Sequence, residues 1–280
     1  MDWIVYQGIG VPSNPVFHDA PSHLDCRKIS QELSVPLIRW IEDWDSPLIS
    51  SFYGVIQDHH IELTQLKSQV RYEVKRASRN FYFAELSLLE ILNEGFELYN
   101  SSFKTYDTYL KPMSKEEFID SYGKYKNDGE KEVTRFFGIR ETSTNSLVCY
   151  AYGIHYSKGN YFDLKVVKFN PEYQRNNISE LLFFGIGQQL LSLEKMRFIF
   201  DGFVSMAHKS TIQEYLIRKF NYRNAYCKLC IHYKFYIRLF VLFAYPFRSI
   251  IKFTGRYFII FHKLSILLSQ EELRKNTQEL

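Results

Sequence analysis

The sequence predicts an α/β fold, a mixed central sheet with helices on both faces, and three observations carry that prediction. Residues 161–202 read as strand, polar loop, helix and strand: YFDLKVVKFN, then PEYQRNN broken by Pro171, then Leu181, Leu182, Phe184, Ile186, Leu190, Leu191 and Leu193 at helical spacing, then RFIFDGF. Just before it, TRFFGIRE and SLVCYAYGIHY flank the polar cluster TSTN and read as an antiparallel hairpin. Before those, the strand-like NFYFAEL is followed by two helical stretches, SLLEILNEGFELYNSSF and SKEEFIDSYGKY. The parallel crossover in 161–202 aims the amides of a helix's first turn at the end of the incoming strand, where an anionic ligand can be held.

Taken in order, residues 1–61 hold five of the eight prolines and few periodic apolar runs, which predicts a loop-rich extension. Within it SVPLIRWIEDW suggests a short amphipathic helix with Trp40 and Trp44 at i, i+4. A helix is predicted over 62–80, where Lys67, Arg71, Lys75 and Arg79 form a basic stripe that reads equally as an anion-binding face or a solvated one. Ser114 with Glu117 opens the second helix after NFYFAEL as a capping box. The domain proper spans 62–233, and 234–280 forms a basic, aromatic, amphipathic helical tail.

Composition bounds the function classes. A 46% apolar chain with 24 Phe and 21 Tyr leaves no room for extended disorder or low complexity. The amino-terminal MDWIVYQGIG lacks a basic segment followed by an apolar one, so a cytoplasmic protein is expected. Cys26, Cys149, Cys227 and Cys230 are too few and scattered for a disulfide framework, and Cys227-x-x-Cys230 lies in a strand, where residues three apart face opposite ways. There is no G-x-S-x-G elbow, no G-x-x-x-x-G-K-[ST] loop, no H-E-x-x-H and no metal-ligand spacing. His59 with His60, His155 and His208 read as surface or core histidines, so no metal is expected.

The net charge of +4 conceals an asymmetry. From Tyr215 to Gln270 there is no Asp or Glu but ten cationic residues, leaving 25 basic against 31 acidic elsewhere. After Pro246, Arg248, Lys252, Arg256 and Lys263 line one stripe among Ile250, Ile251, Phe253, Phe258, Ile259, Phe261 and Leu264. Segment 246–268 is therefore expected either to dock on an anionic membrane surface, at the inner face of the membrane, or to pack on the domain or a second copy in a homodimer.

The order of elements from about Phe52 to Phe247 resembles the GNAT superfamily of acyl-CoA-dependent acyltransferases. The stretch KSQVRYEVKRASRN before NFYFAEL adds a resemblance to the Fem-type peptidyltransferase branch, which implies aminoacyl-tRNA as donor. The GNAT resemblance implies acetyl-CoA or another acyl-CoA as donor and an amine as acceptor, an amino sugar of a surface glycan among the choices. It also implies that Gln174, Arg175, Asn176, Asn177, Ile178 and Ser179 form the pyrophosphate loop. Both family glycines are missing there, and asparagine is the best non-glycine residue for left-handed backbone. Lys165 and Val166 occupy the place of the family's usual strand carboxylate, which makes Asp163 the nearest base, or a strand residue paired with Lys165. Ile217 occupies the place of the leaving-group tyrosine, leaving Tyr215 and Tyr226 as substitutes. Asp201, before Gly202, reads either as a residue of a ligand crevice or as a turn-forming Asp-Gly. A binding protein that keeps the fold without the chemistry is the third reading.

Overall fold

A computed structural model of the chain describes residues 2–106, 111–125, 132–205, 211–254 and 259–278. His208, Arg256 and Phe258 lie outside the described residues. In chain order the elements are β1 (Trp3–Tyr6), β2 (Ile9–Pro12), α1 (His23–Glu32), β3 (Leu37–Ser46), β4 (Tyr53–Gln57), α2 (Ser68–Ala77) and β5 (Phe81–Leu86). Next come α3 (Leu88–Phe103), α4 (Lys115–Gly123), β6 (Glu132–Glu141), β7 (Leu147–Tyr156), β8 (Tyr161–Phe169), α5 (Ile178–Gly187) and β9 (Phe198–Phe203). The chain ends with α6 (Thr211–Phe220), β10 (Arg223–Tyr233), α7 (Phe235–Ala244), α8 (Arg248–Thr254) and α9 (Ile259–Gln278).

These elements fall into two compact units. One comprises Met1–Val55, Phe203–Thr211 and Asn224–Leu280, the other Ile56–Gly202 with Ile212–Arg223. The division differs from the three consecutive segments suggested by the sequence, because the first unit is assembled from both ends of the chain.

In that first unit β1 and β2 form an antiparallel hairpin, β2 meets β3 in parallel at Gly10 and Ile38, and β3 runs antiparallel to β10. Residues 1–61 are thus strand-rich where prolines suggested loops, since those prolines sit between or at the ends of strands. SVPLIRWIEDW is strand β3 and not a helix. Its pairing, with Ile41 opposite Leu229 and Trp40 opposite Cys230, outweighs a two-tryptophan spacing that local sequence cannot distinguish. Ile41, Phe52, Cys227 and Leu229 are buried there, with Trp44 edge-on to Phe203 at 6.2 Å. All four cysteines are free and buried.

The second unit carries the expected mixed sheet, in the order β9-β8-β7-β6-β5, with β8 and β9 parallel and the other neighbours antiparallel. Successive strand residues point to opposite faces, and each face is covered by helices. On one face Phe136 and Tyr150 pack with Ile91, Leu98, Phe118 and Tyr122 of α3 and α4. On the other Phe137 stacks on Phe83 at 5.7 Å, and Gly185 of α5 sits so close to Phe83 that a Cβ would fall 2.4 Å from the ring. The capping box of Ser114 with Glu117 is formed, as are those of Ser22 with Asp25 and Ser87 with Glu90. Helix α2 begins at Ser68 and ends at Ala77, so Lys67 and Arg79 flank it, and the basic stripe is shorter than predicted.

Candidate active site

The feature that builds a site in the second unit is the way β8 leaves its neighbours. Opposite β7, Tyr152 pairs with Val166 and Gly153 with Leu164, so Lys165 is an extra residue, a β-bulge. The bulge needs Gly153, because a Cβ there would lie 2.3 Å from the Asp163 carbonyl oxygen and 2.6 Å from the Phe162 ring. Opposite β9, the parallel ladder holds Tyr161 to Phe198, Phe162 to Ile199 and Asp163 to Phe200, and ends there. Beyond it β8 continues to Phe169 without β9, and β9 turns away through Gly202 at φ +86°. Asp201 and Gly202 therefore belong to a strand, not to a turn. Strands that part in this way form a geometry that can receive an extended, amide-bearing ligand.

Two carboxylates mark the parting point. Asp163 is buried to 1% exposure, and its carboxylate accepts a hydrogen bond from the Lys165 ammonium. Burial pushes its pKa up, and Lys165 offsets part of that rise. Asp201 on the adjoining strand is half-buried, and desolvation, followed by the nearby charge of Asp163, pushes its pKa up to about 8. The surroundings are aromatic. Burial and then Asp201 raise the pKa of Tyr222, while burial and then Asp163 raise that of Tyr156. Near neutral pH Asp201 holds its proton, while on Asp163 the Lys165 ammonium opposes the effect of burial, a contrast of surroundings of the kind acid–base chemistry uses.

The loop after β8 is a 3₁₀ turn over Pro171–Asn176, opened by Asn170, whose Oδ1 accepts from the Glu172 N–H at 3.1 Å. Gln174 and Arg175 are exposed, Asn176, Asn177 and Ser179 are half-buried, and Ile178 is buried. Asn177 has left-handed backbone, φ 60° and ψ 29°, the conformation glycine would have eased. No side chain of Asn177 caps α5, and within its first turn the Glu180 amide is engaged by its own carboxylate.

Directly below that first turn lies a buried ionic cluster. Glu180 accepts from Lys219 Nζ at 2.6 Å, from the Tyr215 hydroxyl at 3.0 Å and from Ser179 Oγ at 2.9 Å, and Lys219 also donates to Glu73 at 2.7 Å. Burial drives the Glu180 pKa up, yet hydrogen bonds from Lys219 and Ser179 outweigh it and hold the group ionised. The cluster ties α2 and α6 to the start of α5.

The structure places Asp163 and Asp201 on adjoining strands, offset by one residue, near enough for the charge of Asp163 to act on Asp201, and sends the two tyrosines elsewhere. The Tyr215 hydroxyl is committed to Glu180, and burial followed by that carboxylate raises its pKa. Tyr226 belongs to the other unit, on β10, edge-on to Tyr53 at 5.8 Å. His155 bonds Asn160 at 3.2 Å. Sequence reasoning did not find Tyr222, Tyr156 or the Glu180–Lys219–Glu73 bridge. Residues 73, 180 and 219 meet only through tertiary packing, and no local pattern announces them. Among the described residues no cluster of His, Cys, Asp or Glu is placed to hold a metal.

No family model matches the chain, and no curated protein matches it. Among solved structures it is similar to L-PGS from Bacillus licheniformis, at 10% identity and a TM-score of 0.49, over 83% of this chain and 79% of that one. It is similar to a tandem GNAT protein from the clavulanic acid biosynthesis pathway, at 9% identity and a TM-score of 0.47, over 81% and 75% of the two chains. FemX aligns at 10% identity and a TM-score of 0.46, over 63% and 65%. At these identities and TM-scores the likenesses are partial ones of chain path.

Proposed function

We propose that the chain transfers an acyl group from an activated donor to an amine, with the donor's extended arm along the opening between β8 and β9. The observation that supports this reading is the parting of two parallel strands beside two carboxyl groups in different surroundings, Asp163 accepting from Lys165 and Asp201 under the influence of desolvation and the charge of Asp163. In the leading form the donor is acetyl-CoA or another acyl-CoA, whose pyrophosphate lies at the first turn of α5 beside Arg175. The acceptor is an amine, an amino sugar of a surface glycan being one candidate. Asp163 accepts the amine proton as the C–N bond forms, and Asp201 gives its proton to the departing sulfur as the C–S bond breaks. An acid with a pKa near 8 suits a thiol leaving group of about 8.5. In this reading Tyr215 acts indirectly, holding the donor loop through Glu180.

A second reading takes the acyl group from aminoacyl-tRNA. It is favoured by Asn177 standing where a glycine would admit a pyrophosphate more closely, and by exposed Lys75, Arg76 and Arg79 at the end of α2. The two share the carboxyl pair and differ in the leaving group, a ribose oxygen instead of sulfur. Thermal melting with each donor separates them. Under the leading reading acetyl-CoA raises the melting temperature by mass action, and Arg175→Glu removes the shift. No shift with any acyl-CoA, together with tight aminoacyl-tRNA binding, replaces it with the second. Binding of neither donor leaves a binding protein without the chemistry.

A further inference from the structure

Helix α7 has a composition that water should not tolerate. Of its ten residues, FYIRLFVLFA, Arg238 alone is charged, and the helix is apolar on every side. Such a helix is ordinarily buried. Here only Val241 is buried, in a small core with Ile251 and Leu268 against which Ile237 and Ala244 rest. The remaining large side chains face outward: Phe235 is 76% exposed, Phe243 72%, Leu242 64%, Tyr236 60% and Phe240 49%. The surface continues past the helix through Phe247 at 59% and Ile250 at 63%. Apolar exposure of this extent marks a surface that meets another phase or another molecule.

Charge selects between those occupants. The surface lies within the stretch from Tyr215 to Gln270 that lacks any Asp or Glu, and its own Arg238 is exposed, as is Lys263 on α9. The structure also alters the electrostatics expected from sequence, because Arg248 and Lys252 both reach back to Glu272, at 3.4 Å and 2.7 Å. Two of the cations assigned to a lipid-facing stripe over 246–268 thereby share one carboxylate, which removes one of their two positive charges, and the apolar surface begins earlier, at Phe235. At roughly 1.5 Å per residue α7 is about 15 Å long, half the hydrocarbon core, and no helix among the described residues is long and apolar enough to cross a membrane. We propose that α7 and the turn after it, Phe235 to Ile250, form an interfacial anchor that seats on a bilayer leaflet containing anionic lipid. The aromatic and leucine side chains supply most of the binding, and Arg238 and Lys263 supply a modest preference for negative charge.

Flotation of the full chain with phosphatidylcholine vesicles, with and without phosphatidylglycerol, tests this. The chain should float with the mixed vesicles, and raised salt or Arg238→Glu should weaken binding by a few fold. The double variant Phe240→Ser, Phe243→Ser should weaken it by at least about tenfold, as two buried aromatics demand. A second readout does not depend on that variant. All four natural cysteines are buried, so Leu242→Cys takes an environment-sensitive fluorophore selectively, and its emission should shift to the blue on the mixed vesicles. Absence of flotation and of the shift overturns the proposal. So does a dimer in sedimentation velocity that the double variant dissolves and vesicles leave unchanged, since a second copy then covers the surface.

Discussion

The aspartate pair makes a sharp demand on the pH dependence of stability, and Asp201→Asn isolates it. Unfolded, Asp201 ionises near 3.8, whereas folded it holds its proton to about 8. Between those limits the folded chain binds the proton and the unfolded chain has lost it, so stability falls as pH rises through the window and is lowest above it. Four pH units at 1.36 kcal/mol each set a ceiling of about 5–6 kcal/mol, and the partial solvent access of Asp201 reduces this to about 2 kcal/mol. Asparagine is the neutral isostere and escapes the penalty. Melting followed by fluorescence at pH 4.5, 6, 7.5 and 9 should therefore show the smallest gain for Asp201→Asn at the lowest pH. The gain should grow through neutrality and level off at about 4–8 °C above pH 8. In an Asp163→Asn background the window should contract toward acid, because the charge of Asp163 is the second cause of the rise. An equal gain at every pH, or a loss above pH 8, would refute the assignment of a half-buried, protonated Asp201. In an assay of transfer the same variant should lose turnover, its acid having gone.

Three further outcomes follow from described contacts. Asp163→Asn should lower kcat far more than it weakens donor binding measured by calorimetry, whereas equal losses would mark a structural role. Lys219→Met strands the Glu180 and Glu73 carboxylates in a buried site and should cost about 3 kcal/mol in denaturant unfolding, while Tyr215→Phe, which removes one hydrogen bond, should cost about 1 kcal/mol. Gly153→Ala drives a methyl group into the Asp163 carbonyl and the Phe162 ring and should destabilise by about 2–3 kcal/mol; a stability within 0.5 kcal/mol of the parent would mean that the bulge relaxes freely.

What could be read from the sequence was whatever is encoded locally. Leucine spacing in α5, alternation in β7 and β8 and the Ser114–Glu117 box each involve residues within a turn or two of one another, and each appears in the structure. Strand β3 could not be read that way, because Trp40 and Trp44 satisfy helical spacing, and only the distant β10 decides the matter. Its backbone also carries positive φ at Asp43 and Asp45, which no propensity foretells. The site divides along the same line. Asp163 and Asp201 could each be picked out by position on a strand, but their adjacency depends on the register that sets Asp163 beside Phe200. The commitment of Tyr215 to Glu180 depends on how α6 packs, which leaves no trace in the order of residues.

The split composition of the first unit governs the life of the chain before it is complete. β3 leaves the ribosome early, yet the strand that satisfies one of its edges, β10, is made only after the whole second unit has been synthesised. Until then its backbone donors and acceptors stand open beside Leu37, Ile38 and Ile41, a template for pairing with another nascent chain. The second unit faces no comparable wait, since its sheet from β5 to β9 is finished by Gly202 and only α6 remains to be added. The last step of assembly is therefore a long-range strand closure, slow by its sequence separation. It is there that chaperone dependence, proteolytic nicking and loss of yield should concentrate, and a chain cut short before β10 should fail through its amino-terminal segment, Met1–Val55.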